Sequence, residues 1–353
     1  MAKPIITIIG LGLTGASMGL ALQREAGNFE IVGHDKRPEV AQEMRKLGAV
    51  QRTEWNLYRA SEGAELIVIA IPLNELAELL PLLAEELKPG TLILAIGSLL
   101  QPAIEIADKT LPAGVHFVAG HPVVTGVSAA PSPHADLFER TVFALSAGLN
   151  TDPAALQLAS DFVERVGATP LFADAQEHDG IMAGVEHLPM LLAAALMRVS
   201  AGKAGWREAR RLAGQHFASA TELGSDAAGL FAALQANREN VILKLRQLRQ
   251  ELAEWQALLE TEPETPIGEV GSSEKAGETK ANAKGRNAKE ENEVHPLLTA
   301  LEYVVAERGT WEAQTVLKNW EETPGSSAAA AESSGFLKQM FLGGLGNRQQ
   351  KRK

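Results

Sequence analysis

Cysteine is absent from the chain. That absence excludes disulfides, thiolate-bound zinc and a cysteine nucleophile together, and it fits a reducing compartment. Aromatic residues make up only 5% of the sequence, so the interior has to be aliphatic, with alanine favouring closely packed helices. Basic charge is also short, with 33 Lys and Arg against 44 Asp and Glu and a net charge of −11. Proteins that grip nucleic acid or anionic membrane need a positive footprint. None is expected here, and an anionic substrate must meet locally placed cations. No uninterrupted run approaches the ~20 apolar residues of a membrane helix, so no membrane span is expected. The start, Met-Ala-Lys-Pro-Ile-Ile-Thr-Ile-Ile-Gly, has neither the h-region nor the cleavage site of a signal peptide, and a cytoplasmic protein is expected.

What is present divides the chain. At 353 residues it exceeds the size of a single hydrophobic core, which predicts two folded domains plus non-globular sequence. Short β-branched apolar runs recur at Ile5–Ile9, Glu30–Gly33, Leu66–Ile71, Thr91–Ile96, His116–Ala119 and Thr141–Ser146, with helical patterns between several of them at Ser17–Arg24, Pro38–Leu47 and Glu75–Leu87. This alternation predicts an α/β domain over residues 1–150 with a mostly parallel, doubly wound sheet. The runs are continuous rather than alternating, as strands covered by helices on both faces should be.

From Thr151 the pattern turns helical, first Asp152–Val166, then Glu177–Gly202, then Trp206–Phe217, Ala227–Ala236 and Arg238–Leu259. Glu177–Gly202 is apolar on too many sides for a surface helix. It predicts an all-α domain over residues 151–260 that packs against a partner subunit. Thr261–Val294 has Ile267, Val270 and Val294 as its only large apolar residues and is expected to be a disordered insertion (261–294), unable to bury enough to offset chain ordering. Helical periodicity resumes over 295–322. Residues 323–353 read as a flexible tail, or alternatively as a small amphipathic docking element around Phe336–Leu342.

The sharpest motif is Gly10-Leu11-Gly12-Leu13-Thr14-Gly15, which follows the first strand and opens a helix. In that context GxGxxG is a dinucleotide fingerprint. Gly10 allows the tight turn, Gly12 lets the backbone approach a pyrophosphate, and Gly15 permits close packing of helix on strand, while the helix N-terminus offers N–H groups to phosphate. Asp35 ends the second strand, where a carboxylate accepts hydrogen bonds from the adenosine ribose. NAD is the expected cofactor; Lys36 and Arg37, directly after, keep NADP open.

With these residues in place the sequence resembles the prephenate and arogenate dehydrogenase family over about residues 5–260. Ala70-Ile71-Pro72 is similar to that family's turn after the fourth strand, Ile96-Gly97-Ser98 to its Val-Gly-Ser, and Gly120-His121-Pro122 to its Gly-His-Pro. Glu177-His178-Asp179 and Glu186-His187-Leu188-Pro189 resemble its Glu-His-Asp and Ser-His-Leu-Pro. Gly205-Trp206-Arg207 through Arg211-Leu212-Ala213, and Asn237-Arg238-Glu239, continue the series in the family's order.

The resemblance implies a Rossmann-type domain followed by a helical dimerisation domain, a homodimer, and a cleft between the domains. It also implies NAD-dependent oxidative decarboxylation of prephenate or arogenate in tyrosine biosynthesis. Carried over residue by residue, it makes His121 the acceptor of the substrate hydroxyl proton and Ser98 the group that orients His121 or that hydroxyl. His187 and Arg211 become substrate contacts, the arginine fork being suited to a carboxylate. Leu13, Thr14, Ile71 and Pro72 join Gly10, Gly12, Gly15 and Asp35 at the cofactor. His178-Asp179 reads as a helix-start arrangement, outside the catalytic set, and no metal is expected.

The chain departs from the family around the substrate. The family's Asp before Val-Gly-Ser and its Lys shortly after are missing from Leu94-Ala95-Ile96-Gly97-Ser98-Leu99-Leu100; Met-Ala-Gly-Ser after His-Pro is Val123-Val124-Thr125-Gly126, and Ser before the later His is Glu186. These changes keep two alternatives in view: a related dehydrogenase of another small carboxylate, and a non-catalytic dinucleotide-binding protein. Arg238–Leu259 with Pro296–Trp311 resembles the family's closing helix pair, the insertion lying between them at a loop-closure cost that rises only logarithmically with length. No strand pattern follows Trp320, so a regulatory ACT domain of the kind some relatives carry is not expected.

Overall fold

A computed structural model describes residues 3–25, 27–124, 132–223, 226–261 and 295–317. The expectations for an insertion over 261–294 and a tail over 323–353 therefore lie outside the described residues, apart from Thr261. The chain divides into two compact units, Met1–Leu248 and Arg249–Lys353.

The first unit is built on one eight-stranded sheet in the order β3-β2-β1-β4-β5-β6-β7-β8. The strands are β1 Ile5–Ile9, β2 Glu30–His34, β3 Arg52–Thr53, β4 Ala64–Ile69, β5 Leu92–Ile96, β6 His116–Pro122, β7 Val142–Ala147 and β8 Thr169–Phe172. All neighbours pair in parallel except β6 and β7. Helices α1 Leu13–Leu22, α2 Pro38–Leu47, α3 Leu57–Ser61, α4 Leu73–Ala84 and α5 Gln101–Thr110 connect the parallel strands. The central strands are apolar on both faces because both faces carry core. One side collects Ile8, Val68, Leu94 and Val118 with Met18 and Leu22 of α1; the other collects Ile9, Ile67, Ile93 and Phe117 with Leu80 of α4 and Ile104 of α5. The strand order reverses between β1 and β4, the place where α/β sheets of this kind bind ligands at the carboxyl ends of their strands.

The sheet runs past residue 150, where the sequence reading had placed the domain boundary. Asp152–Val166, read there as the first helix of an all-α region, is α6 Pro153–Arg165, and it packs on β6, β7 and β8. The strand β8, Thr-Pro-Leu-Phe, escaped the pattern because it is a short edge strand with a proline and little burial, a place where proline is tolerated. The two-residue β3 left no periodic signal at all.

Helices α7 Ala175–Met182 and α8 Leu188–Ser200 are joined by a π-turn, Ala183–His187, into one 26-residue helix. Pro189, inside it, has no N–H to give a carbonyl one turn back, and the helix widens just before it. By length and composition alone this helix is apolar enough to cross a membrane, a difference from the sequence expectation, yet its apolar window is only 22% buried in the single chain. In α8 only Ala193 is buried, and Val199 is 72% exposed. Trp206–Phe217 is two helices, α9 Trp206–Leu212 and α10 Gln215–Ala220, interrupted at Ala213-Gly214. α11 Ala227–Ala236 and α12 Arg238–Glu260 follow. The second unit holds the last turns of α12 and α13 Pro296–Leu317, with the His295 ring 3.3 Å from the Thr261 carbonyl.

Candidate active site

The glycine loop is shaped by what a side chain would strike. Gly10 has φ +86°, and a Cβ there would lie 2.4 Å from the Ala70 carbonyl oxygen; a Cβ on Gly15 would lie 2.0 Å from the Gly10 oxygen. Gly12 is different, since a Cβ there would meet nothing within 4 Å. Its lack of a side chain keeps a space open rather than relieving a contact. No side chain caps α1, and its first turn carries no acid, so Leu13 and Thr14 begin a helix whose leading N–H groups remain available to an anion. The adjoining recess, about 390 Å³, is lined among others by Gly10, Gly12, Asp35, Ile71 and Pro72. Asp35 is 9% exposed and organises the loop, accepting from Leu11 N at 3.0 Å through Oδ2 and from Arg37 N at 2.9 Å through Oδ1.

Gly15→Ala sets a new methyl against backbone that has no flexible end to yield. We expect a loss of about 1–3 kcal/mol in stability and a fall of more than about tenfold in dinucleotide affinity, read by thermal unfolding and by nucleotide titration. An alanine variant that bound normally would remove the packing argument.

A second recess, about 280 Å³, opens beside the first at the carboxyl ends of β4, β5 and β6, lined by Thr14, Ala70, Ile71, Ile96, Gly97, Ser98, His121 and Pro122. His121 ends β6. Its Nδ1 lies 3.1 Å from His178 Nε2, and His178 Nδ1 lies 2.9 Å from Asp179 Oδ1. Asp179 also accepts from Leu100 N at 2.9 Å and Gln101 N at 3.0 Å, the entry of α5. An ionised carboxylate only accepts, so His178 Nδ1 carries hydrogen. With both rings neutral, His178 Nε2 then accepts from His121 Nδ1–H, which leaves the lone pair on His121 Nε2. Burial foremost, then the neighbouring His178, lower the His121 pKa from 6.5 to about 4, against an opposing pull from Asp179.

The reading of His178-Asp179 as a helix-start device is thereby corrected. Asp174 caps α7 through Gln176 N and Glu177 N, while Asp179 caps a different helix, and His178 touches His121. The signal available in the sequence was a His-Asp pair set in an apolar stretch, but its partners lie far away along the chain.

His187 and Glu186 sit in the π-turn. His187 is 1% exposed; Asn237 Nδ2 donates to the Asp179 carbonyl at 2.7 Å and stands 3.3 Å from His187 Nδ1. That leaves His187 Nε2 buried with no partner among the described residues, and burial lowers its pKa against the pull of Asp179. Burial pushes the Glu186 carboxyl above the usual range, against the opposing influence of Ser98 and His178, and its Oε2 is buried with no partner among the described residues. Ser98, His121 and Thr14 thus share one recess, which His187 does not line. Arg211 is not brought there: it lies exposed on α9 and makes no hydrogen bond or ion pair among the described residues. Among those residues no cluster of three or more His, Asp or Glu has the arrangement of a metal site.

Sheet order, glycine loop and recess define a Rossmann-type nucleotide-binding protein with a helical second region. Two family models match it: the prephenate dehydrogenase nucleotide-binding domain over residues 18–171, starting just after the glycine loop, and the prephenate dehydrogenase dimerization domain over residues 174–268. The chain belongs to the prephenate dehydrogenase family. It is 30% identical over 200 residues to the prephenate dehydrogenase of Bacillus subtilis, covering 55% of this chain and 53% of that protein. It is also 30% identical over 263 residues to the probable prephenate dehydrogenase NovF of Streptomyces niveus, covering 72% and 67%. The chain spans about half the length of the first curated relatives it matches. Among solved structures, the prephenate dehydrogenase of A. aeolicus in complex with hydroxyphenyl propionate and NAD+ superposes with a TM-score of 0.61 at 20% identity, covering 74% of this chain and 92% of that one.

Proposed function

We propose that this chain is an NAD-dependent prephenate or arogenate dehydrogenase, active as a homodimer in the cytoplasm in tyrosine biosynthesis. The observation that carries the reading is the Asp179, His178, His121 chain ending beside the recess at the strand ends, because it supplies an oriented neutral base where a cofactor and a ring meet. NAD, when bound, supplies the hydride acceptor. The glycine loop holds its pyrophosphate and Asp35 its ribose hydroxyls. NADP is the weaker candidate: Lys36 pairs with Glu75 at 2.7 Å and Arg37 stands 3.6 Å from Asp35, so neither cation is left unopposed.

In this mechanism His121 Nε2 takes the proton of the ring hydroxyl while hydride leaves the same carbon, and the ring carboxylate departs as carbon dioxide. Ser98 orients the hydroxyl. His187 is assigned a supporting substrate contact and Arg211 the carboxylate anchor. The exposed faces of α8 and α11, with Val199 and Phe231 72% and 65% exposed, are assigned to the partner subunit, in keeping with the dimerization-domain match.

The test is formation of reduced nicotinamide by purified protein given NAD with prephenate or with arogenate. Turnover of neither, despite NAD binding, sinks the reading. A dehydrogenase of another small carboxylate is the second reading, favoured by Glu186 where the family has serine, and a panel of cyclic and open-chain carboxylates separates the two.

The acid limb of the rate profile is a further expectation. A base lowered from 6.5 to about 4 remains unprotonated down to mildly acidic pH, so kcat/KM should hold on acidification and fall with a midpoint near pH 4. Stability follows the same group with this sign: between 6.5 and about 4 the unfolded chain binds the proton and the folded chain does not, so stability falls as pH falls through that window. A rate midpoint at 6.5 would show that His121 is not held as described.

A further inference from the structure

The recess at the glycine loop is lined by two acids and two bases, Asp35 and Glu75 against Lys36 and Arg37, together with His34. His34 to Arg37 follow one another at the end of β2, whereas Glu75 comes from the first turn of α4. The sheet brings them together because β2 and β4 flank β1. Glu75 Oε1 accepts from Lys36 Nζ at 2.7 Å, across 39 positions of sequence. His34 turns its Nδ1 to the Glu54 carbonyl at 3.0 Å.

Stability does not account for the Lys36–Glu75 pair. The two side chains are 68% and 30% exposed, and ion pairs this open to water contribute little to folding. What the pair sets is the charge that the recess offers to a ligand. Asp35 is already engaged, its oxygens accepting from Leu11 N and Arg37 N, with Arg37 Nε 3.6 Å from Oδ1. With Arg37 set against Asp35, Lys36 is the cation that a phosphate on the adenosine ribose would recruit, and Glu75 holds it.

We propose that Glu75 is a specificity-determining residue that bars NADP from this site by occupying Lys36. The inference rests on the dehydrogenase reading, which makes the recess a dinucleotide site. NADP differs from NAD only in the 2′-phosphate, a monoester of charge about −1.5 to −2 at neutral pH. To take Lys36 it must displace the Glu75 carboxylate, and it then lies beside that carboxylate, like charge against like. A ribose hydroxyl meets no such conflict: it needs an acceptor, and each Asp35 oxygen keeps a second lone pair. Asp35 alone does not decide between the two cofactors, because the two bases directly after it offset its charge. The acid that tips the balance is supplied from α4.

The experiment is calorimetric titration of the full chain with NAD and with NADP. Wild type should bind NADP at least about tenfold more weakly than NAD. Glu75→Gln keeps the shape of the side chain and removes its charge; it should bind NADP about tenfold more tightly than wild type does, the change expected of one charge-assisted hydrogen bond, with NAD affinity kept within about twofold. Lys36→Ala added to Glu75→Gln should cancel the gain, and high salt should erode it. A gain in affinity cannot arise from damaged folding. Unchanged NADP affinity in Glu75→Gln, a gain that survives Lys36→Ala, or a wild type that binds NADP as tightly as NAD overturns the inference and leaves the dehydrogenase reading intact. A wild type that binds neither dinucleotide overturns both.

Discussion

His121→Asn is expected to lower kcat by about two to four orders of magnitude, the range lost when a positioned general base is removed, with NAD affinity kept within about twofold. The asparagine amide can still donate toward His178 Nε2, in place of the ring Nδ1–H at 3.1 Å, so the recess should keep its shape. What disappears is the only atom in the Asp179, His178, His121 chain with a lone pair free for the substrate hydroxyl. The dinucleotide loop is built from other elements, Gly10 to Gly15 and Asp35, and does not depend on His121. Steady-state rates with NAD and substrate, together with an independent NAD titration, separate the two effects. A variant that kept more than about a tenth of the wild-type rate would take the base assignment away from His121. One that lost NAD binding along with the rate would show that the substitution had disturbed the strand ends instead.

The parts of this molecule legible in the sequence are those where a local requirement has one solution. Gly10 and Gly15 sit where any Cβ strikes backbone, so the pattern GxGxxG after a strand was informative. Continuous apolar runs identified the central strands, because burial on both faces leaves no room for alternation. The sequence reading lost its grip where the reason for a residue lies elsewhere in the chain. Asp179 was read against its own helix, whereas the amides it binds belong to Leu100 and Gln101, 79 and 78 positions away. Asn237 appeared as part of a family motif with no role, yet its amide links the Asp179 carbonyl to His187. Glu186 stood only as a departure from the family's serine, because its burial, which pushes the carboxyl pKa up, cannot be read from residue type. Arg211, a substrate contact by the resemblance, lies exposed on α9 and does not line the recess of Ser98 and His121.

Asp179→Asn should damage both fold and rate, and the pH profile distinguishes the two. Asp179 accepts three hydrogen bonds, from Leu100 N and His178 Nδ1 through Oδ1 and from Gln101 N through Oδ2. Asparagine keeps one oxygen and turns an NH2 group toward whichever donor the other oxygen served. One buried donor is then left facing another donor, which costs about 1–3 kcal/mol and loosens the start of α5, the helix that follows Ser98. A reduced melting temperature is therefore expected and by itself says nothing about catalysis. The second effect is electrostatic. The Asp179 charge raises the proton affinity of His121 against burial and His178; without it the His121 pKa drops further, so the base is weaker and the acid limb of kcat/KM moves to lower pH while the plateau falls by about ten- to a hundredfold. Loss of folded protein lowers the plateau but leaves the limb in place. A shifted limb would therefore assign Asp179 to tuning His121 through His178, and an unshifted one would confine it to holding the entry of α5.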